Sequence, residues 1–298
     1  MRYAVILVNL AVFMLLAPLY EGLIRRVTAR VQSRQGPPLL QPYIDLLKLL
    51  GKETIDAGGA WPFRLPPVLA LSAILVVVVL VPVAGTATAL TAHADLIALV
   101  YLLTLGGVAI LMGGLASRNP FATIGASREM ITMIMVEPVL VMLLVVRSIS
   151  RGSLDLSGLL ASGVPAWTWS SALIALVSLV ALQAFVARQP FDIAEAEIEL
   201  LGGPFIEYSG PNLALFKYSL MLKQMFYAYL MVAVMVPLSG LGFVVDLGLQ
   251  LVAVAGVCAA VGLLGATNPR LRIDQALRFY AVLLLVSIGA VGLSLGGY

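Results

Sequence analysis

The feature that most constrains this chain is the recurrence of apolar runs of about twenty residues. Wound as a helix at about 1.5 Å per residue, such a run spans about 30 Å, the thickness of a bilayer's hydrocarbon core. Tyr3 to Ile24, Pro67 to Ala84, Leu96 to Leu115, Ile131 to Val146, Ser170 to Ala187, Val244 to Gly265 and Ala276 to Leu295 are of this kind, and Leu213 to Pro237 is another, interrupted by Lys217 and Lys223. With 61% hydrophobic residues the chain carries more apolar side chain than a water-soluble core encloses. The predicted fold class is therefore all-α: a polytopic membrane protein of eight transmembrane helices, forming one domain over residues 1–298.

Between the first two runs lies the longest polar connection, Arg25 to Arg64. Gln35-Gly36-Pro37-Pro38 breaks the chain there, and Leu39 to Glu53 reads as an amphipathic helix, with Leu40, Ile44, Leu47 and Leu50 on one side and Asp45, Lys48 and Lys52 on the other. Its basic ends and the following Trp61 place it at the membrane surface. Because the first run ends in Arg25, Arg26, Arg30 and Arg34 and has no small-residue cleavage site, it is expected to be a retained span.

Basic residues orient the whole. With the N-terminus outside, thirteen arginines and lysines fall inside and only Arg2, Arg147 and Arg151 fall outside. Both termini are then expected on the outer side of the membrane. The single cysteine, Cys258, and single histidine, His93, point to neither a disulfide nor a metal centre in this chain. Small residues such as Gly106, Gly107, Gly113, Gly114, Gly292 and Gly296 are expected to allow close helix packing. There is no tandem repeat, and no glycine pattern or charge distribution points to a nucleotide or nucleic acid.

Against this background the segment Arg188 to Gly210 stands out. Five of the fifteen carboxylates, Asp192, Glu195, Glu197, Glu199 and Glu207, fall within it, with Arg188 as their only basic companion. If Phe191 to Leu201 is helical, Phe191, Ala194, Ile198 and Leu201 form an apolar stripe beside Asp192, Glu195 and Glu199. Clustered acids raise one another's pKa and so can hold and pass protons near neutral pH; a solvated loop docking a basic partner is the other reading. Glu137, deep in the fourth run and followed by Pro138, is costly there unless paired, hydrated or protonated, which makes it a candidate proton site. Glu129 is expected at the start of that helix, where the dipole alone would favour it. Lys223, about 15 Å into its span, is too deep to snorkel comfortably and reads either as a proton-exchanging group or as a counter-ion.

Three stretches, ARVQSRQGPPLLQPYIDLLKLLGKE from Ala29, NPFATIGASREMITMIMVEP from Asn119 and QPFDIAEAEIELLGGPFIEYSG from Gln189, together resemble the membrane subunit family shared by respiratory complex I, as its subunit 1, and the energy-converting nickel-iron hydrogenases of the formate hydrogenlyase type. The resemblance covers nearly the whole chain. The direct passage from Gly36-Pro37-Pro38 to Leu39-Leu40-Gln41-Pro42, without the longer insert usual in complex I members, favours the hydrogenase branch, as do the Gly125 to Glu129 run and the Gly202-Gly203-Pro204 break.

What the resemblance implies is a subunit of an oxidoreductase complex in a prokaryotic cell membrane, holding no cofactor of its own. The iron-sulfur clusters and nickel-iron centre would sit in partners: a hydrogenase-like catalytic large subunit and an iron-sulfur small subunit, with antiporter-like membrane subunits alongside. Arg25, Arg26, Arg30, Arg34, Asp45, Lys48, Glu53 and Arg188 would dock the redox arm. Glu129, Glu137, Asp192, Glu195, Glu197, Glu199, Glu207 and Lys223 would form the proton pathway. The alternative within the family is a complex I subunit 1 contributing a quinone chamber. A free-standing transporter and a passive anchor are the readings outside it.

Overall fold

In the computed structural model the described residues are 2–55, 61–86, 88, 90–91, 94–160, 168–235 and 242–296, with the backbone alone described at 2–4, 197 and 198. His93 lies outside them, as does the side chain of Glu197. Among the described residues eleven α-helices follow one another: α1 (Arg2–Val31), α2 (Gln41–Leu50), α3 (Trp61–Leu80), α4 (Leu96–Ala116), α5 (Pro120–Arg151), α6 (Leu156–Leu159), α7 (Trp169–Phe185), α8 (Glu197–Leu200), α9 (Gly210–Met235), α10 (Phe243–Thr267) and α11 (Ile273–Leu295). Among the described residues there is no strand longer than an isolated bridge.

Seven of these helices, α1, α3, α4, α5, α9, α10 and α11, are long and apolar enough to cross a membrane. The eighth expected span is α7, which is apolar but only 17 residues long, at the short end of what spans a bilayer. The bundle is organised around α9, the most enclosed of the seven, which packs against α1, α3, α7 and α10. Its buried aromatic and thioether side chains, Phe216, Met225, Phe226, Tyr227 and Tyr229, supply much of the core, and Phe13 of α1 meets the Tyr229 ring edge-on at 5.3 Å.

Several boundaries depart from the apolar runs, because a helix continues wherever its backbone groups are satisfied. The first helix carries on past Ile24 to Val31, taking Arg25, Arg26 and Arg30 with it. The interfacial helix α2 is shorter than Leu39 to Glu53 and leaves Leu40, Ile44, Leu47 and Leu50 exposed, as an amphipathic surface helix should. The largest departure is α5, which starts eleven residues before Ile131: Asn119 caps it by accepting from the Phe121 amide at 2.8 Å, and Pro120 occupies the first turn. Glu129 is consequently in the body of a helix and not at its start, so the dipole does not explain it.

The expected helix from Phe191 to Leu201 does not form. The segment is a series of turns with a single helical turn, α8, and the stripe is broken: Phe191 and Ala194 are buried while Leu201 is exposed. Two of its acids are drawn toward different elements, Asp192 to Arg270 after α10 and Glu199 to Arg128 on α5, and Ala196, Leu201, Gly202 and Gly203 all take positive φ, which ends any right-handed helix.

The glycines divide. A Cβ on Gly113 would lie 2.8 Å from the Tyr208 hydroxyl, and one on Gly114 would lie 2.9 Å from Ala126 Cβ, so these two do permit close packing; Gly107 likewise faces Met133. Around Gly106 and Gly292 there is open space, and the packing expectation fails for them.

Candidate functional site

The acidic segment forms one wall of a cavity of about 640 Å³ at one end of the bundle, closed on its other sides by α1, α9 and α10. Glu195 and Asp192 reach it from the loop, Arg188 from just after α7, Lys217 and Gln224 from α9, and Glu21, Arg25 and Thr28 from α1.

A chain of charge-assisted hydrogen bonds holds this wall. Gln41 on α2 donates to Asp45 at 3.0 Å, and Arg25 bridges Asp45 (3.0 Å) and Glu21 (2.8 Å). The second oxygen of Glu21 accepts from Arg188, whose Nε donates onward to Gln224 at 3.1 Å. The Glu21 side chain is 2% exposed, so its charge is held inside the protein by two arginines at once. Sequence reasoning passed over Glu21, although the signal that singled out Glu137, a lone carboxylate inside an apolar run, was present there too.

Of the acids expected to handle protons, Glu195 and Asp192 line the cavity. Glu195 is half-buried there, and burial first, then the charge of Asp192, raise its pKa from 4.5 to about 7, with Arg188 offsetting part of the rise. Asp192 is bound to Arg270 at 2.6 Å. Glu199 is exposed, and its hydrogen bond to Arg128 at 2.8 Å holds its pKa below the ordinary value. Glu207 is not in the cavity: it accepts from Asn119 Nδ2 at 2.5 Å.

That last bond belongs to a joint between two of the sequence motifs, and every residue of Glu207-Tyr208-Ser209-Gly210 has a structural part in it. The Tyr208 ring stacks on Phe63 at 4.2 Å and its hydroxyl donates to the Phe63 carbonyl at 2.9 Å. Ser209 Oγ accepts from the Ile55 amide, and Gly210, at φ +53°, comes so close to the Glu53 carbonyl that a Cβ would meet it at 2.6 Å. Similarly, a Cβ on Gly125 would sit 2.7 Å from Gly203 Cα and 2.8 Å from Pro204 Cδ. The segments around Asn119 and Gly202 interlock, and by doing so fix the acidic loop against α5.

Inside the bundle, α5 carries Glu129 and then Glu137, eight residues and about 12 Å further from the loop. The Thr104 hydroxyl of α4 lies 3.2 Å from Glu137 Oε2. Lys223 makes no ion pair with Glu137 within 4 Å; its ammonium sits 5.9 Å from the Tyr227 ring centre and borders a small cavity of about 20 Å³, room for about one water, between α3, α4 and α9.

The arginines expected to dock a partner fall into two groups. Arg26, Arg30 and Arg34 are exposed, as are Lys48 and Glu53, whereas Arg25, Asp45 and Arg188 are held in the internal network. Among the described residues no group of three or more His, Cys, Asp or Glu side chains is arranged to hold a metal ion.

Comparison with known proteins gives a consistent picture. The family described as NADH dehydrogenase matches residues 3–295. Hydrogenase-4 component C of Escherichia coli (strain K12) is 38% identical over 236 residues, covering 78% of this chain and 74% of that one. Formate hydrogenlyase subunit 4 of the same organism is 36% identical over 237 residues, covering 78% and 76%. A chain in the structure of the membrane-bound sulfane sulfur reductase, an archaeal respiratory membrane complex, superposes with a TM-score of 0.86 at 25% identity, over 98% of this chain and 99% of that one.

Proposed function

Because the chain belongs to the NADH dehydrogenase family, we propose that it serves as the membrane subunit of an energy-converting, hydrogenase-type complex. In this role it docks a peripheral redox arm at the acidic face and couples that arm's electron transfer to the movement of protons or sodium ions. The arm consists of a catalytic large subunit and an iron-sulfur small subunit, which carry the nickel-iron and iron-sulfur centres, and antiporter-like subunits adjoin it in the cell membrane. Arg26, Arg30, Arg34, Lys48 and Glu53 form the docking surface, while Arg25, Asp45 and Arg188 hold its underside in place.

The observation that carries the coupling role is the position of Glu195: a carboxylate with a pKa near 7, on a charged cavity, with Glu129 and Glu137 leading from it into the membrane. A group half-protonated at neutral pH both accepts and releases protons with small driving force. Asp192 and Arg188 set its poise, and Lys223 supplies a positive charge from α9. In the complex reconstituted into liposomes, Glu195→Gln and Glu137→Gln are expected to lower ion uptake per redox turnover by about tenfold while the subunits still co-purify. A full gradient from both variants would remove the proposal.

A second reading, a quinone chamber, draws on the cavity's size, which suits a ligand of ordinary dimensions. Its charged lining, Glu21, Arg25, Arg188, Asp192, Glu195 and Lys217, favours water and protons over an apolar ring and tail. Photolabelling of this chain by a quinone analogue, competed by free quinone, would decide for the chamber.

A further inference from the structure

Arg147 takes no part in the machinery described above. It lies on α5 nineteen residues beyond Arg128, which pairs with the acidic loop, and the helical rise puts about 28 Å between them. That separation approaches the roughly 30 Å of the hydrocarbon core, so Arg147 stands at headgroup depth in the opposite leaflet. Its side chain is enclosed, the residue being 9% exposed, yet its Nε is shut off from solvent with no hydrogen-bond partner. No described carboxylate comes within ion-pair distance of it.

The neighbours do not resolve this. Arg151, one turn on, bears the same charge. The hydroxyls of Ser148 and Ser150 are turned to the carbonyls of Ser153 and Arg147. Proximity to the helix C-terminus favours a cation, but the dipole offers Nε no acceptor. A buried donor left unpaired is costly, and the two terminal nitrogens, which are not among the solvent-excluded atoms, are the ones an anion can reach. The surface at this end of the bundle is apolar and aromatic, with Leu154 and Trp169 at the start of α7 both exposed, which is the composition of a membrane interface.

We propose that Arg147 binds the phosphodiester of an anionic phospholipid in the leaflet away from the acidic loop. The phosphate supplies the acceptors that the guanidinium lacks, the acyl chains lie along the exposed apolar flank, and the charge of Arg147 itself favours a headgroup of net negative charge over a zwitterionic one.

The test uses the full chain, delipidated in detergent, offered equal amounts of phosphatidylglycerol and phosphatidylcholine with matched acyl chains and weighed by native mass spectrometry. Retention of phosphatidylglycerol is expected to exceed that of phosphatidylcholine by about fivefold. Arg147→Gln should bring the two level, and Arg147→Lys, which keeps the charge in the same place, should preserve the preference. Equal retention by the unaltered chain, or an undiminished preference in Arg147→Gln, overturns the proposal. So does displacement of the lipid by millimolar inorganic phosphate, which would mark a site for free anions. Absence of the preference from the intact complex would mean that a partner subunit's acid covers Arg147, and would overturn it equally.

Discussion

Two carboxylates in this protein illustrate how surroundings decide what an acid does. Glu21 is gripped by Arg25 and Arg188, so its charge is structural. Removing one member of a buried ion pair leaves the others uncompensated, and Glu21→Ala is expected to cost about 3 kcal/mol, read as a lower thermal midpoint of the purified chain. Glu195, by contrast, keeps a proton in the folded chain that the unfolded chain has already released between pH 4.5 and about 7. Stability tied to this group is fully present below pH 4.5, falls as the pH rises toward 7 and is level above it. Glu195→Gln should flatten that part of the stability profile, which thermal midpoints collected from pH 4 to 8 would reveal; an unaltered slope would assign the titration to another group. The residue types were legible in the sequence, but their roles were not, because a pKa depends on which charges the fold brings near.

At the level of elements, the acidic loop is held by contacts between backbones and not by regular structure. Gly125 on α5 faces Gly203 and Pro204 with no room for a side chain. Gly125→Leu should therefore overpack that joint at a cost of about 2 kcal/mol and detach the loop, so that Arg128 and Glu199 no longer pair. Limited proteolysis at the loop, slow in the unaltered chain and fast in the variant, would report this, and equal rates would refute it. The long helices could be found from apolar length, since burying a backbone in lipid leaves a helix as its main option. The loop could not: the spacing of Phe191, Ala194, Ile198 and Leu201 suits a helix, but the pull of Arg128 and Arg270 on its acids and four residues at positive φ prevail over local periodicity.

Taken as a whole molecule, the chain is a bundle about α9 with a charged cavity at one end and the enclosed Arg147 at the other. Its proposed orientation, with the cavity facing the cytoplasm, can be tested in a background where Cys258, the single cysteine, is replaced by serine. A membrane-impermeant maleimide should label Leu154→Cys in intact cells and Gln35→Cys only after lysis; the reverse pattern would invert the topology. By itself the sequence determined that the protein is a helical membrane bundle, because apolar length and the distribution of arginine are read one residue at a time and need no knowledge of neighbours. It also carried the motifs that place the chain in its family. What only the tertiary structure decided was which charges meet: that Glu21 and not Glu207 borders the cavity, that Lys223 and Glu137 make no ion pair, and that no acid among the described residues pairs with Arg147. Electrostatic partnership depends on distances of a few ångströms between residues far apart in the chain, and such distances exist only once the helices have packed.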